Sequence, residues 1–350
     1  MVRTLLKKVG ERLKPGQICV PDIEGRRGAV SAEGSQDAIF DVFPYLTGRY
    51  PHRDKRKVFF AVSSGLCNLS CPYCITNRPR LREYLDKDDF AFIFEYFGEN
   101  IYFGFSGLGD FFCGYSRKDQ LLRYLLQHDV MLFLDINGVE IHELGDPDLE
   151  HRERIGKINV SYHYGTMKKQ KLVGRWVDSI RKIQEHTFNY DLKMVCSPLE
   201  KDIIEEALLF YRKEVQPITN QKLILAPDGL FDLKSQMEDI SRTLERYGDV
   251  IDFSGEEAMY REKVLPPAAA LPCPAGSRYF RVFHNGNVIP CELFGTRMHV
   301  SLGNVKKKQM SAFRKDVLCN YSGFCDCFSA TNPATGLVDD KGRPYPPRER

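Results

Sequence analysis

Lys57 to Cys74 reads KVFFAVSSGLCNLSCPYC, and the reading of this one stretch decides that of the rest of the chain. Its first eight residues are mostly apolar, β-branched or aromatic, the composition of a buried strand. Gly65 then ends the run, and three cysteines follow at the spacing Cys67-x3-Cys71-x2-Cys74. Three thiolates on a short loop suit three corners of an iron–sulfur cubane and leave the fourth iron without a protein ligand. An open coordination position marks a metal centre that does chemistry. A zinc knot, the alternative, needs a fourth ligand from elsewhere.

Downstream of the loop the same kind of run recurs. IYFGFSG (101–107), MLFLDING (131–138), KINVSYH (157–163), DLKMVCS (191–197) and KLILAP (222–227) all read as strands. Between them lie amphipathic stretches, clearest in DDFAFIFEYFG (88–98), DQLLRYLLQHD (119–129), EKDIIEEALLFYRKEV (200–215) and LKSQMEDISRTLERYG (233–248). Six strand–helix repeats imply an α/β protein with a parallel sheet and right-handed crossovers. Six are too few for a complete eight-fold barrel, so a partial (β/α)6 TIM-type barrel is expected over 57–249, its site at the carboxyl ends of the strands. A polar lead-in (1–56) precedes it. A linker (250–272) broken at Pro266-Pro267, a small cysteine-rich β-hairpin/helix module (273–330) and a flexible tail (331–350) come after it.

The 350 residues are 43% apolar and 28% charged, enough to bury a full core. Fifty basic against 47 acidic side chains give a net charge of +3, no general reason to expect nucleic acid or an anionic membrane as partner. The N-terminal segment MVRTLLKKVGERLKPG lacks the apolar core of a signal peptide, and no run approaches the ~20 apolar residues of a membrane helix. A cytoplasmic protein is therefore expected. Thiols stay reduced there, so the 11 cysteines argue for metal binding or catalysis rather than disulfides. Eight of the 11 fall in two groups, at 67–74 and 273–327.

With its aromatic immediately before the third cysteine, Cys67-Asn68-Leu69-Ser70-Cys71-Pro72-Tyr73-Cys74 resembles the defining loop of the radical S-adenosylmethionine superfamily. That resemblance implies a catalytic 4Fe–4S cluster whose open iron is chelated by S-adenosylmethionine. Reductive cleavage would give a 5′-deoxyadenosyl radical that takes a hydrogen atom from the substrate. Tyr73 would lie against the adenine. FSGLGDFF (105–112) is similar to the family's glycine-rich segment that receives the methionine amino group: Gly107 and Gly109 match, Asp110 stands where Glu is usual, and Phe111 replaces Pro. On the fourth strand, period-two alternation puts Asn159, Ser161 and His163 on one face and Ile158, Val160 and Tyr162 on the other. Ser161 and His163 resemble the family's Ser-x-His pattern near bound S-adenosylmethionine. By the same parity Asp135 and Asn137 face inward as substrate or ribose contacts. Cys113 and Cys196 are candidate hydrogen-atom donors near the barrel mouth. Lys193, a candidate partner for a carboxylate, opposes Cys196 in strand parity, so only one of the two can point inward.

From 273 the sequence reads CPAGSRYFRVFHNGNVIPC, with Asn285-Gly286 a hairpin signal between two strand-like runs. Such a hairpin brings Cys273 and Cys291 together. Gly286-x4-Cys291 and Leu302-Gly303-Asn304 resemble the auxiliary-cluster extensions of the same superfamily, called SPASM or, in shortened form, twitch. Five cysteines here suit one auxiliary 4Fe–4S cluster, on Cys273, Cys291, Cys325 and Cys327 with Cys319 as alternative ligand. A structural zinc site on four thiolates is the competing reading.

The resemblance implies hydrogen abstraction, leading to oxidation (dehydrogenation) or epimerisation of a small molecule or carbohydrate, with a flavodoxin- or ferredoxin-type electron donor. The lead-in is short for the peptide-binding domain that peptide maturases of the superfamily often carry. His163 also stands where those enzymes often have an acidic residue. A peptide substrate is the alternative, and a non-catalytic iron–sulfur or zinc protein the remote one.

Overall fold

The computed structural model describes Ile23–Glu24 and residues 58–74, 84–106, 109–114, 120–227, 243–252, 271–273, 275–277, 279–291, 300–313 and 317–319. The lead-in apart from Ile23–Glu24, the helix expected over 233–248 except its last turn, and the whole tail fall outside them. Ile23–Glu24 pairs antiparallel with Ala312–Phe313. Among the described residues no helix is long and apolar enough to cross a membrane.

All six expected strands are present: β1 (Val58–Val62), β2 (Ile101–Phe105), β3 (Val130–Ile136), β4 (Ile155–Tyr162), β5 (Tyr190–Cys196) and β6 (Leu223–Pro227). They lie side by side in chain order, each parallel to the next. The crossovers carry α1 (Lys87–Phe97), α2 (Phe111–Gly114), α3 (Leu121–Leu126), α4 (Tyr164–Lys169), α5 (Val173–Glu185) and α6 (Lys201–Phe210). Asp86 caps α1: its Oδ1 accepts the Asp88 and Asp89 N–H groups at 3.0 and 3.1 Å, while Asp89 Oδ2 accepts the Asp86 N–H at 3.0 Å. This reciprocal capping starts the helix where the sequence turns amphipathic.

The parallel array is wider than the six repeats suggest. β7 (Ile251–Asp252), at the start of the expected linker, adds to β6. On the other side β9 (Tyr279–Val282) pairs parallel with β1, from Tyr279 opposite Phe59 to Val282 opposite Val62. The hairpin partner β10 (Asn287–Ile289), then β11 (Gly303–Asn304) and β12 (Gln309–Met310), continue antiparallel to the edge. These four strands of the expected C-terminal module thus extend the main sheet. β9 satisfies the backbone N–H and C=O groups that β1 would otherwise leave open. Lys306 and Lys308 reinforce the junction, with Nζ atoms 3.8 and 3.7 Å from the Asp89 carboxylate. A separate two-stranded ladder joins β8 (Leu271–Cys273) to β13 (Val317–Cys319).

Strand alternation gives the sheet two unlike faces. Phe60, Phe103, Leu132, Ile158, Val160 and Leu192 are fully buried on the helix-covered face. α1 packs there through Phe90 and Phe94, whose rings lie 5.4 and 5.9 Å from that of Phe103. Each such side chain contributes ~1.5–3 kcal/mol by leaving water. The opposite face is aromatic at its amino end, where Phe59 stacks on Tyr279 at 5.7 Å and on Phe133 at 6.2 Å. Gly104 makes room for this layer, since a Cβ there would stand 2.7 Å from Phe59 Cζ. Towards the carboxyl ends the same face turns polar, with Asp135, Asn159, Ser161 and Lys193.

Candidate active site

The cysteine loop leaves β1 at its carboxyl end and is held from both sides. Ser63 N–H donates to Val282 O at 3.0 Å, and Asp110 N–H donates to Leu66 O at 2.6 Å. Gly109 allows this second approach: its φ is +93°, and a Cβ would meet Ser64 Oγ at 2.3 Å and Leu66 O at 2.5 Å. Within the loop Leu69 N–H points at Cys67 Sγ at 3.4 Å, and the buried Thr166 on α4 lies near Cys71, where its hydroxyl favours the thiolate.

Burial, followed among the raising effects by the nearby Asp110 and Cys74 charges, pushes the Cys67 thiol up to about 11. Burial, then the charges of Cys67 and Cys74, pushes Cys71 up to about 12. As bare thiols both stay protonated at neutral pH, and a bound cation reverses that preference. Among the described residues no three His, Cys, Asp or Glu side chains gather closely enough to hold a single metal ion. The three thiols nevertheless lie within reach of one another's charge. A four-iron cluster asks for this looser grouping, because each thiolate binds a different iron. The donor set therefore fits a cubane.

Two expected cofactor contacts meet. Tyr73, 5% exposed, shares a 2.8 Å hydrogen bond between its hydroxyl and His163 Nδ1. Burial lowers the His163 pKa to about 4, so the ring is neutral; with Tyr73 as donor, its proton sits on Nε2. The residue keeps some accessible surface although protein surrounds the ring densely. Ser161 and Asn159 share its half-buried face on β4, and Asn159 Nδ2 donates to Asp135 Oδ1 at 2.5 Å. Lower on the same face Lys157, 7% exposed, pairs with Asp191 at 2.6 Å.

Other expectations are revised. Asp110, expected at a methionine amino group, is 2% exposed, and its oxygens accept backbone N–H groups from Cys113 at 3.1 Å and Asn137 at 2.6 Å. Burial still outweighs these bonds and raises its pKa to about 6. Asn137, expected to face substrate or ribose, turns instead to the cysteine loop, because β3 ends at Ile136 and strand parity stops there. Cys196 lies 3% exposed on the apolar face with Leu192 and Met194, so parity gives the opposite, polar face to Lys193 and turns Cys196 away from it. Cys113 is half-buried on α2. The sequence does not single out Thr166; its position three residues past the strand-end His163 is the only signal it offers.

Gly107, Cys325 and Cys327 lie outside the described residues. Cys291 is 7% exposed just beyond β10. In the β8–β13 ladder Cys273 stands opposite Val317 and Cys319 opposite Leu271, so Cys319 is two register positions from Cys273.

No protein-family model matches the chain, and no curated protein matches it. Among solved structures, native anSMEcpe with bound AdoMet aligns with 13% identity and a TM-score of 0.45 over 71% of this chain and 78% of its own. Streptococcus suis SuiB bound to S-adenosylmethionine aligns with 13% identity and a TM-score of 0.45 over 75% of this chain and 66% of its own. SuiB bound to the precursor peptide SuiA gives 13% and 0.43 over 71% and 62%. Likeness at this level assigns no reaction to the chain, whose function is read from its own residues.

Proposed function

We propose that this chain is a radical S-adenosylmethionine enzyme acting on a polar small molecule or carbohydrate. The observation that carries the reading is the meeting of the Cys67, Cys71 and Cys74 loop with the Tyr73–His163 pair and the polar Asn159–Ser161 face at the carboxyl ends of one parallel sheet. Cys67, Cys71 and Cys74 hold the 4Fe–4S cluster. Tyr73, Gly107, Gly109, Ser161 and His163 line the S-adenosylmethionine site, and Asp110 supports it from behind. Cluster and S-adenosylmethionine together supply reductive cleavage and hydrogen-atom abstraction.

The chain's own residues decide which substrate enters and how it leaves. The aromatic layer of Phe59, Phe133 and Tyr279 closes the lower interior, so a substrate enters from the carboxyl ends, where Asp135, Asn159, Ser161 and Lys193 offer hydrogen bonds and one cation. Cys196, on the apolar face, is turned away from the substrate, and the loss of this donor favours oxidation over epimerisation, for which Cys113 would have to serve. Cys273, Cys291 and Cys319, with Cys325 or Cys327, hold a second 4Fe–4S cluster that accepts the substrate's electron, and a flavodoxin- or ferredoxin-type protein reduces the first.

The test is anaerobic: reconstitute the protein, count iron and sulfide, add S-adenosylmethionine with dithionite, and assay 5′-deoxyadenosine. Iron, sulfide and 5′-deoxyadenosine are expected. Zinc in place of iron, with no cleavage, would overturn the proposal.

A further inference from the structure

Asn137 is 4% exposed, and both its side-chain N–H and its backbone N–H are directed at the cysteine loop or the loop's support. Its Nδ2 donates to Asn68 Oδ1 at 2.6 Å and points at Cys67 Sγ at 3.6 Å, a contact length that the large sulfur atom allows. Its Oδ1 accepts the Val139 N–H at 2.9 Å, fixing the turn that aims the amide. Its own N–H donates to Asp110 Oδ2 at 2.6 Å, and the Asp110 N–H in turn holds Leu66 O. The carboxamide therefore cannot rotate away from the sulfur without breaking the turn and the contact to Asn68.

We propose that Asn137 is a positioning residue for the metal loop: it fixes the Cys67 sulfur and, by donating to it, raises the reduction potential of the cluster held there. This inference rests on the iron–sulfur reading above. An N–H directed at a ligating thiolate stabilises the more negative, reduced state, and hydrogen bonds to sulfur are among the protein's main controls on cluster potential.

Two variants separate the donor from the turn. Asn137→Asp keeps an oxygen acceptor for Val139 N–H but replaces the donor by a negative charge, while Asn137→Leu removes both. Potentiometric titration of the reconstituted protein, read by electron paramagnetic resonance, should give a midpoint lower than wild type in Asn137→Leu and lowest in Asn137→Asp. Iron loss from both variants with unchanged circular dichroism also supports the positioning role. Unchanged midpoint and iron content in both variants overturn it. Should the variants fail to fold, wild-type protein grown with 15N-asparagine keeps the question open to a direct answer. Pulsed resonance on its reduced cluster should detect a weak nitrogen coupling, and none would defeat the inference. Wild-type protein that takes up no iron and sulfide at all refutes the cluster reading itself, a different result from a cluster with an unmoved potential.

Discussion

The two cysteine groups are built on opposite plans. The first lies within eight residues, directly after a fully paired central strand, and is met by residues from three other crossovers: the Asp110 backbone N–H, the Asn137 carboxamide and Thr166. The second stretches from 273 to 327, with Cys291 beside the main sheet and Cys273 and Cys319 on a separate two-stranded ladder. A site carried on one loop needs the fold only for support. A site scattered over 55 positions needs the fold to exist first.

The largest effect should come from breaking the first plan. Cys67→Ala, Cys71→Ala and Cys74→Ala together should abolish 5′-deoxyadenosine formation and leave on the order of four irons per chain on the second site. Cleavage retained in the triple variant would refute the assignment. Replacing Cys273, Cys291 and Cys319 by Ala should do the reverse. On the order of four irons should remain, and S-adenosylmethionine should still be cleaved while substrate turnover fails. Unchanged iron content there would sink the second cluster and leave the first untouched.

The same contrast explains what the sequence discloses. The six β-branched and aromatic runs from Lys57 to Pro227 each carry enough residues to show alternation, and all six are strands. Ser161 can be placed on the polar face because β4 is regular up to its end at Tyr162, whereas His163, one residue beyond, is located by its bond to Tyr73. The pairing of β9 with β1 leaves no local trace, since the partners are more than 200 positions apart and the choice is made by an open sheet edge. β7 is two residues long, too short for any period. Parity extended one residue beyond the end of β3 misplaces Asn137. Lys193 and Cys196 cannot be told apart by chemistry, only by which face the helices cover.

A smaller effect tests how tightly the first loop is clasped. Gly109→Ala places a Cβ against Ser64 Oγ, Leu66 O and Gly65 N at 2.8 Å or less, with φ in the left-handed region. Backbone atoms cannot step aside as a flexible side chain does, so the variant should lose ~2–3 kcal/mol of stability. It should also lose iron more readily than wild type in a chelator challenge. Equal stability and iron retention would mean that the loop tolerates displacement, and the contrast between the two groups would weaken.

The smallest expected effect concerns pH and the His163 side of the first site. The folded ring titrates at about 4 because of burial, below its ordinary 6.5. The folded state thus holds this proton less tightly than the unfolded chain, and the group's contribution to stability is complete above pH ~6.5 and lost as pH falls towards ~4. His163→Gln keeps a partner for the Tyr73 hydroxyl and removes the titration. Urea denaturation of the two proteins across this window should show wild type losing about 1–2 kcal/mol more than the variant, after allowing for the ring's remaining solvent contact. The second cysteine group has no part in this bond, so its Ala variants should keep the wild-type slope. If they lost it as His163→Gln does, the two sites would have to be read as one coupled unit rather than as two plans.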